Sequence, residues 1–152
     1  MSKLYGSLDN RFNENKNFTH RDIQVGDDIT MYWWSDRTCY YITKVINQKH
    51  IFVKKYCIIA DHHKPGGIGH QDWIYFKTCK EEQEYTNRCV EEGLLPDYCK
   101  HNLSEIQEYS EEEWVFRYNH WYSISYRNGV KIYTRLQPIS FGVRDYYYDW
   151  EF

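Results

Sequence analysis

Apolar and polar positions fall into two distinct rhythms along this chain. From Ile29 to Trp34 and from Cys39 to Ile46 the sequence is rich in β-branched and aromatic residues, and the two runs flank the polar tetrad Ser35-Asp36-Arg37-Thr38. A third run, His50 to Tyr56, follows the turn-prone Asn47-Gln48-Lys49. Runs of this composition, punctuated by turn residues, predict a three-stranded antiparallel meander launched by Gly26-Asp27-Asp28. Toward the other end, Trp114 to Tyr118, Trp121 to Arg127 and Val130 to Leu136 repeat the pattern. Asn128-Gly129 joins the last two, and both residues accept the positive φ of a type I′ turn, so a β-hairpin is predicted there.

The middle of the chain reads differently. Asp61 to Asp72 holds three glycines and one proline and reads as a loop, after which Trp73 to Lys77 predicts a strand that returns to the sheet. From Thr78 the propensities turn helical. Glu81, Glu82, Gln83, Glu84, Arg88, Glu91 and Glu92 give a polar face, and Tyr85, Cys89 and Val90 a narrow apolar one. Gly93 is placed to end that helix in a left-handed cap. The aromatic stretch 143–152 is expected to dock beside the meander and close the sheet. The predicted fold class is therefore mainly β, a β-rich α+β chain forming a small SH3-like or closed antiparallel barrel with one inserted helix. We read 1–152 as a single domain, with a flexible arm over 1–20 and an insertion over 58–100.

Composition narrows the function classes. Aromatics make up 19% of residues, with 16 Tyr, more than a core requires and of the type that recognition surfaces use. The net charge of −3 gives no global basic field, so bulk charge argues against nucleic acid as a partner. No window reaches the roughly 18 apolar residues of a membrane span, and the N-terminal stretch lacks an apolar signal core, which predicts a soluble protein made in a cytoplasm, with no membrane partner. There the five cysteines, Cys39, Cys57, Cys79, Cys89 and Cys99, are expected as reduced thiols.

Three segments carry a resemblance. They are Val25-Gly26-Asp27 with Trp34-Ser35-Asp36-Arg37 and the Tyr41 to Val53 strand pair; Asn102 to Tyr109, which contains Gln107-Glu108-Tyr109; and Phe141-Gly142-Val143-Arg144 with Tyr147-Tyr148-Asp149 and Phe152. Together they resemble small, uncharacterised proteins encoded by tailed bacteriophages and prophages. The resemblance implies a compact β domain of phage origin, for which the expected cytoplasm is that of the host cell, and it assigns no catalytic residue. This chain departs from the pattern in 58–100, which is longer than the loop the family leads one to expect.

Candidate chemistry falls into three sets. The acidic insertion, with Glu81, Glu82, Glu84, Glu91, Glu92 and Tyr85, suits a basic groove on a partner. For a phage-like protein this implies a non-enzymatic binder of a host macromolecule, a host protein above all, and an inhibitor of host defence in the manner of anti-CRISPR proteins. Arg37 and Arg144, with the amides of Gly66 and Gly67, form a candidate anion or nucleotide site. Arg37 has a structural alternative, an ion pair with Asp145 or Asp149. His62, His63 and His70, with Asp61 and Asp72, have the ligand types for a divalent metal and a metal-dependent hydrolase. Their spacing matches no standard motif. His120 with Ser123 and Ser125 is excluded as a catalytic pair, because odd spacing puts them on opposite faces of a regular strand. No resident cofactor is expected.

Overall fold

The computed structural model describes residues 23–64 and 71–147. The predicted arm 1–20 lies outside the described residues. Contacts gather the described residues into two compact units, 23–54 with 111–147, and 55–110. The second unit contains all the described residues of the 58–100 stretch.

The first unit is a curled, half-barrel antiparallel sheet of seven strands. In chain order its strands are β1 (Asp28–Tyr32), β2 (Arg37–Asn47), β3 (His50–Lys55), β6 (Glu112–Arg117), β7 (His120–Arg127), β8 (Val130–Arg135) and β9 (Ile139–Phe141). Their order across the sheet is β8-β7-β6-β3-β2-β1-β9. The predicted meander and hairpin are both present, and the described residues are mainly β with one α-helix, as the pattern of the sequence implied.

Side chains of a strand alternate between faces; one face of this sheet carries the core, and the other is covered only over β1 and β2 among the described residues. Ile29, Met31, Tyr40, Ile42, Ile51, Val53, Trp114, Trp121, Ile139 and Phe141 form the buried cluster with Ile23. Trp114 sits at its centre, with Tyr40 edge-on at 5.0 Å between ring centroids. Trp121 packs between Phe116 and Phe141, at 5.4 and 5.3 Å.

The expected docking of the C-terminal stretch is visible as far as Tyr147. Strand β9 pairs with β1, and beyond it the chain crosses the outer side of β1 and β2. The buried Thr30 hydroxyl donates to the Val143 carbonyl at 2.7 Å and accepts from the Asp145 amide at 3.1 Å. The Arg37 amide donates to the Tyr147 carbonyl at 2.8 Å. This strap covers Cys39, whose thiol burial pushes up to about 11, so it remains a neutral thiol at physiological pH.

The second unit joins a two-stranded sheet, β4 (Cys57–Ala60) with β5 (Trp73–Phe76), to helix α1 (Cys79–Glu91) and two short 3₁₀ turns. Two expectations are corrected here. The Trp73 strand does not return to the main sheet: it pairs with β4, because the loop before it brings Ala60 and Trp73 into register as a separate hairpin. The thiols are also not all reduced. Cys57 and Cys79 form a disulfide, their Cα atoms 5.5 Å apart, while Cys39, Cys89 and Cys99 remain free. An odd cysteine count excludes full pairing but leaves room for one bridge. Helix α1 is capped at both ends. The Thr78 hydroxyl accepts from the Glu81 amide, and Gly93, at φ +79°, closes a Schellman motif in which Leu94 donates to the Cys89 carbonyl.

The β6–β7 turn shows a cost the sequence does not advertise. Tyr118 and Asn119 occupy its two central positions at φ +53° and +62°, the left-handed region that a bulky tyrosine adopts at an expense of about 1–2 kcal/mol. Tyr118→Asn, which suits a type I′ turn, should therefore raise the stability of the protein by about 1 kcal/mol in denaturant unfolding. A loss of stability would show that the tyrosine ring recovers more by packing than the backbone loses.

Candidate functional site

The outer face of the main sheet over β3, β6, β7 and β8 is not covered by any of the described strands. Register places its outward residues in rows across β3, β6, β7 and β8. His50, Val115, Tyr122 and Arg135 form one row, and Phe52, Glu113, Ile124 and Tyr133 the next. Tyr126 with Lys131 and Arg117 with His120 extend the face in either direction. Cations sit on its aromatic rings: the Arg117 guanidinium lies 5.1 Å from the Tyr133 centroid and 5.6 Å from that of Tyr118, and the Lys44 ammonium 5.6 Å from Phe52. The carboxylates at this face are engaged. Glu113 contacts His50 Nε2 at 2.6 Å and accepts from the Tyr126 hydroxyl at 3.4 Å, and Glu111 accepts from Thr43 at 2.6 Å.

Toward the Asn128-Gly129 turn the β7–β8 hairpin is exposed on both faces. Tyr126, Val130 and Tyr133 are 59%, 63% and 42% accessible, and Arg127, Lys131 and Arg135 are exposed beside them; Tyr118, in the β6–β7 turn at the other end of β7, is 79% accessible. Exposed aromatic and aliphatic groups concentrated at one end of a sheet mark a contact surface more than scattered single residues do.

Arg37 has a structural partner. Its Nη1 donates to Asp145 Oδ2 at 2.5 Å, and the guanidinium lies 5.8 Å from the Tyr32 ring centroid and 5.4 Å from Tyr147. It therefore fastens the C-terminal strap, which is the structural alternative that the sequence left open for it. Arg144 lies on the same strap, beside Asp145, and is exposed. Gly66 and Gly67 lie outside the described residues.

The acidic helix divides its residues by period. Tyr85, Thr86, Cys89 and Val90 face inward, so Tyr85 is buried and not on a contact face as expected. A helix can present position 85 outward only by turning Cys89 and Val90 outward with it. Burial, with the Cys89 hydrogen bond next, pushes the Tyr85 phenol up to about 12. Its hydroxyl receives the His62 amide at 3.1 Å and contacts His63 Nδ1 at 3.3 Å, while His63 Nε2 contacts Glu92 at 2.7 Å. Both ring nitrogens of His63 are thus occupied by protein groups, and His70 lies outside the described residues. Glu91 pairs with Lys100 at 3.3 Å. Glu81 and Glu84 are exposed.

At the start of α1 the Glu108 carboxylate accepts from the amides of Cys79 and Lys80, at 2.6 and 3.1 Å, where the helix dipole favours an anion. Cys57, Cys79 and Glu82 form a group of three metal-ligating types within reach of one another, the sole such group among the described residues. Their sulfurs are engaged with each other in the disulfide. The evenly spaced Cys79, Cys89 and Cys99 do not meet: Cys89 is buried in the helix interior and Cys99 is partly exposed beyond it.

Sequence reading missed Tyr118, Arg117, Lys131 and Arg135 as site residues. The signal was available in the alternation within each strand, which gathers His120, Tyr122 and Tyr126 on β7 and Lys131, Tyr133 and Arg135 on β8, but it has meaning only once the opposite parity is known to be buried.

Burial, and after it the neighbouring Glu108, push the Glu82 carboxyl above its ordinary value. The native state then binds this proton more tightly than the unfolded chain does, so the contribution of Glu82 to stability rises as pH falls through the carboxylate range and is unfavourable at neutral pH. Glu82→Gln should be more stable than the parent at pH near 7, with the difference closing as both are taken to acid. A difference that is constant with pH, or a less stable variant, would contradict this.

No protein-family model, curated protein or solved structure matches this chain.

Proposed function

We propose that this chain is a non-enzymatic binding protein, encoded by a tailed phage or prophage, that engages a host macromolecule and in doing so inhibits a host defence. The observation that carries the binding reading is the β7–β8 hairpin, exposed on both faces and bearing Tyr126, Val130, Tyr133, Arg127, Lys131 and Arg135. Folding alone gives no reason to leave that much apolar surface in water, whereas a partner that buries it gains about 25 cal/mol for each Å² removed from solvent. Tyrosine and arginine are also the residue types on which binding energy concentrates. The phage assignment rests on the three-segment resemblance.

A second surface is favoured by a separate observation. Helix α1 is capped at both ends and tied to β4 by the Cys57–Cys79 disulfide, and it holds the exposed Glu81 and Glu84 on a rigid element. Glu91 and Glu92, although engaged by Lys100 and His63, are solvent-accessible and extend the same acidic field. Such a field speeds encounter with a basic partner.

Affinity capture from host extract separates the two surfaces. Tyr126→Ala with Tyr133→Ala should reduce recovery of the specific partner about tenfold, the effect of removing contacts worth more than 1 kcal/mol. Glu81→Lys with Glu84→Lys and Glu91→Lys should leave it near the parent level. Loss with the helix variant alone would move the contact to α1, and unchanged capture with both would refute the binding reading at these surfaces.

A further inference from the structure

Resting on the reading that the hairpin end of the sheet is a contact surface, we propose that the outward face of β3, β6, β7 and β8 binds single-stranded nucleic acid. Two classes of group must be interleaved for such a ligand: aromatic rings on which bases stack, and cations that follow the phosphates. The outward rows supply both. Phe52, Tyr122, Tyr126 and Tyr133 alternate with Lys131, Arg135 and Arg117 by register, and Tyr118 adds a ring at the β6–β7 turn.

The charge pattern distinguishes this face from a solvated one. On an ordinary exposed sheet, lysines and arginines find carboxylates across the strands. Here Arg117 lies against Tyr133 and Tyr118, and Lys44 against Phe52, while Glu113 is claimed by His50 and Tyr126 and Glu111 by Thr43. Among the described residues Arg117 and Lys44 thus lie against rings, and Lys131 and Arg135 stand exposed on the same face. The net charge of −3 does not oppose this, because many of the carboxylates, among them Glu81, Glu82, Glu84, Glu91, Glu92 and Glu105, belong to the second unit. A local basic field is what a polyanion meets.

Tyr118 supplies an independent argument. A bulky residue held at positive φ and almost fully exposed is retained against its own backbone preference, and such strain collects at functional sites. Stacking on an unpaired base gives that ring a use that folding does not. A duplex fits less well, because its bases are already stacked and present only their edges.

The test is fluorescence anisotropy of the full chain with a labelled oligo(dT) of about 20 nucleotides, against a duplex of equal length and polyglutamate as competitors. Binding at about 50 mM salt is expected, and with four cations engaged the affinity should fall about 50-fold by about 200 mM. Lys131→Glu with Arg135→Glu should weaken binding at least tenfold. Tyr133→Ala should weaken it about tenfold and Tyr133→Phe should restore it, a rescue that keeps misfolding from imitating the result.

No binding at the lower salt, binding untouched by both charge and ring variants, or displacement by polyglutamate as readily as by oligo(dT) would each overturn the proposal. A host protein captured through Tyr126 and Tyr133, with no affinity for the oligonucleotide, would overturn the nucleic-acid assignment and leave the binding reading standing.

Discussion

Strand residues alternate between two faces, and in the first unit one of those faces is committed to Trp114 and the aliphatic side chains around it. Most of the unit's behaviour follows from that commitment. With Ile29, Ile42, Ile51, Val53 and Trp114 fixed inward, a one-residue slip of any of their strands would expose them, so register is held tightly. The opposite parity is then fixed as well, and His50, Phe52, Glu113, Tyr122, Ile124 and Tyr133 are presented outward whether or not anything covers them. The composition of the outer face is thereby set by the register that the core imposes.

The two ends of the sheet treat that outer face differently. Over β1 and β2 the C-terminal strap covers it, held by Thr30 and by the Arg37–Asp145 pair. A buried hydroxyl such as that of Thr30 is costly unless its bonds are made, so the strap and the polar residue beneath it require one another. Over β6 to β8 none of the described residues plays the part of the strap, and the rings and cations there are solvent-facing. The outer face is thus covered over β1 and β2 and open over β6 to β8 among the described residues.

The sequence made the strands legible because β-branched and aromatic runs with Asn-Gly punctuation are local signals, and Gly93 marked its helix end for the same reason. Long-range facts were hidden. Nothing near Trp73 says that it pairs with Ala60 instead of joining the main sheet, and nothing near Cys79 says that Cys57 lies within disulfide reach. Tyr85 was misplaced as a contact residue because its helix has a narrow apolar stripe, and a tyrosine at its margin reads equally well as surface or core. Arg37 was read with both of its roles open, and only the partner, Asp145, 108 residues away, decides between them. The outer sheet face escaped notice because bulk charge averages two units of different composition.

The claim at the centre of this account is that the face opposite Trp114, at the β6–β8 end, is where a single-stranded nucleic acid lies. Amide chemical-shift mapping during titration with oligo(dT) tests it most directly, since each strand reports separately. The account predicts shifts in 115–135 and at His50 and Phe52, with the amides of helix α1 unmoved. Shifts confined to 79–92, or none at saturating oligonucleotide, would contradict it.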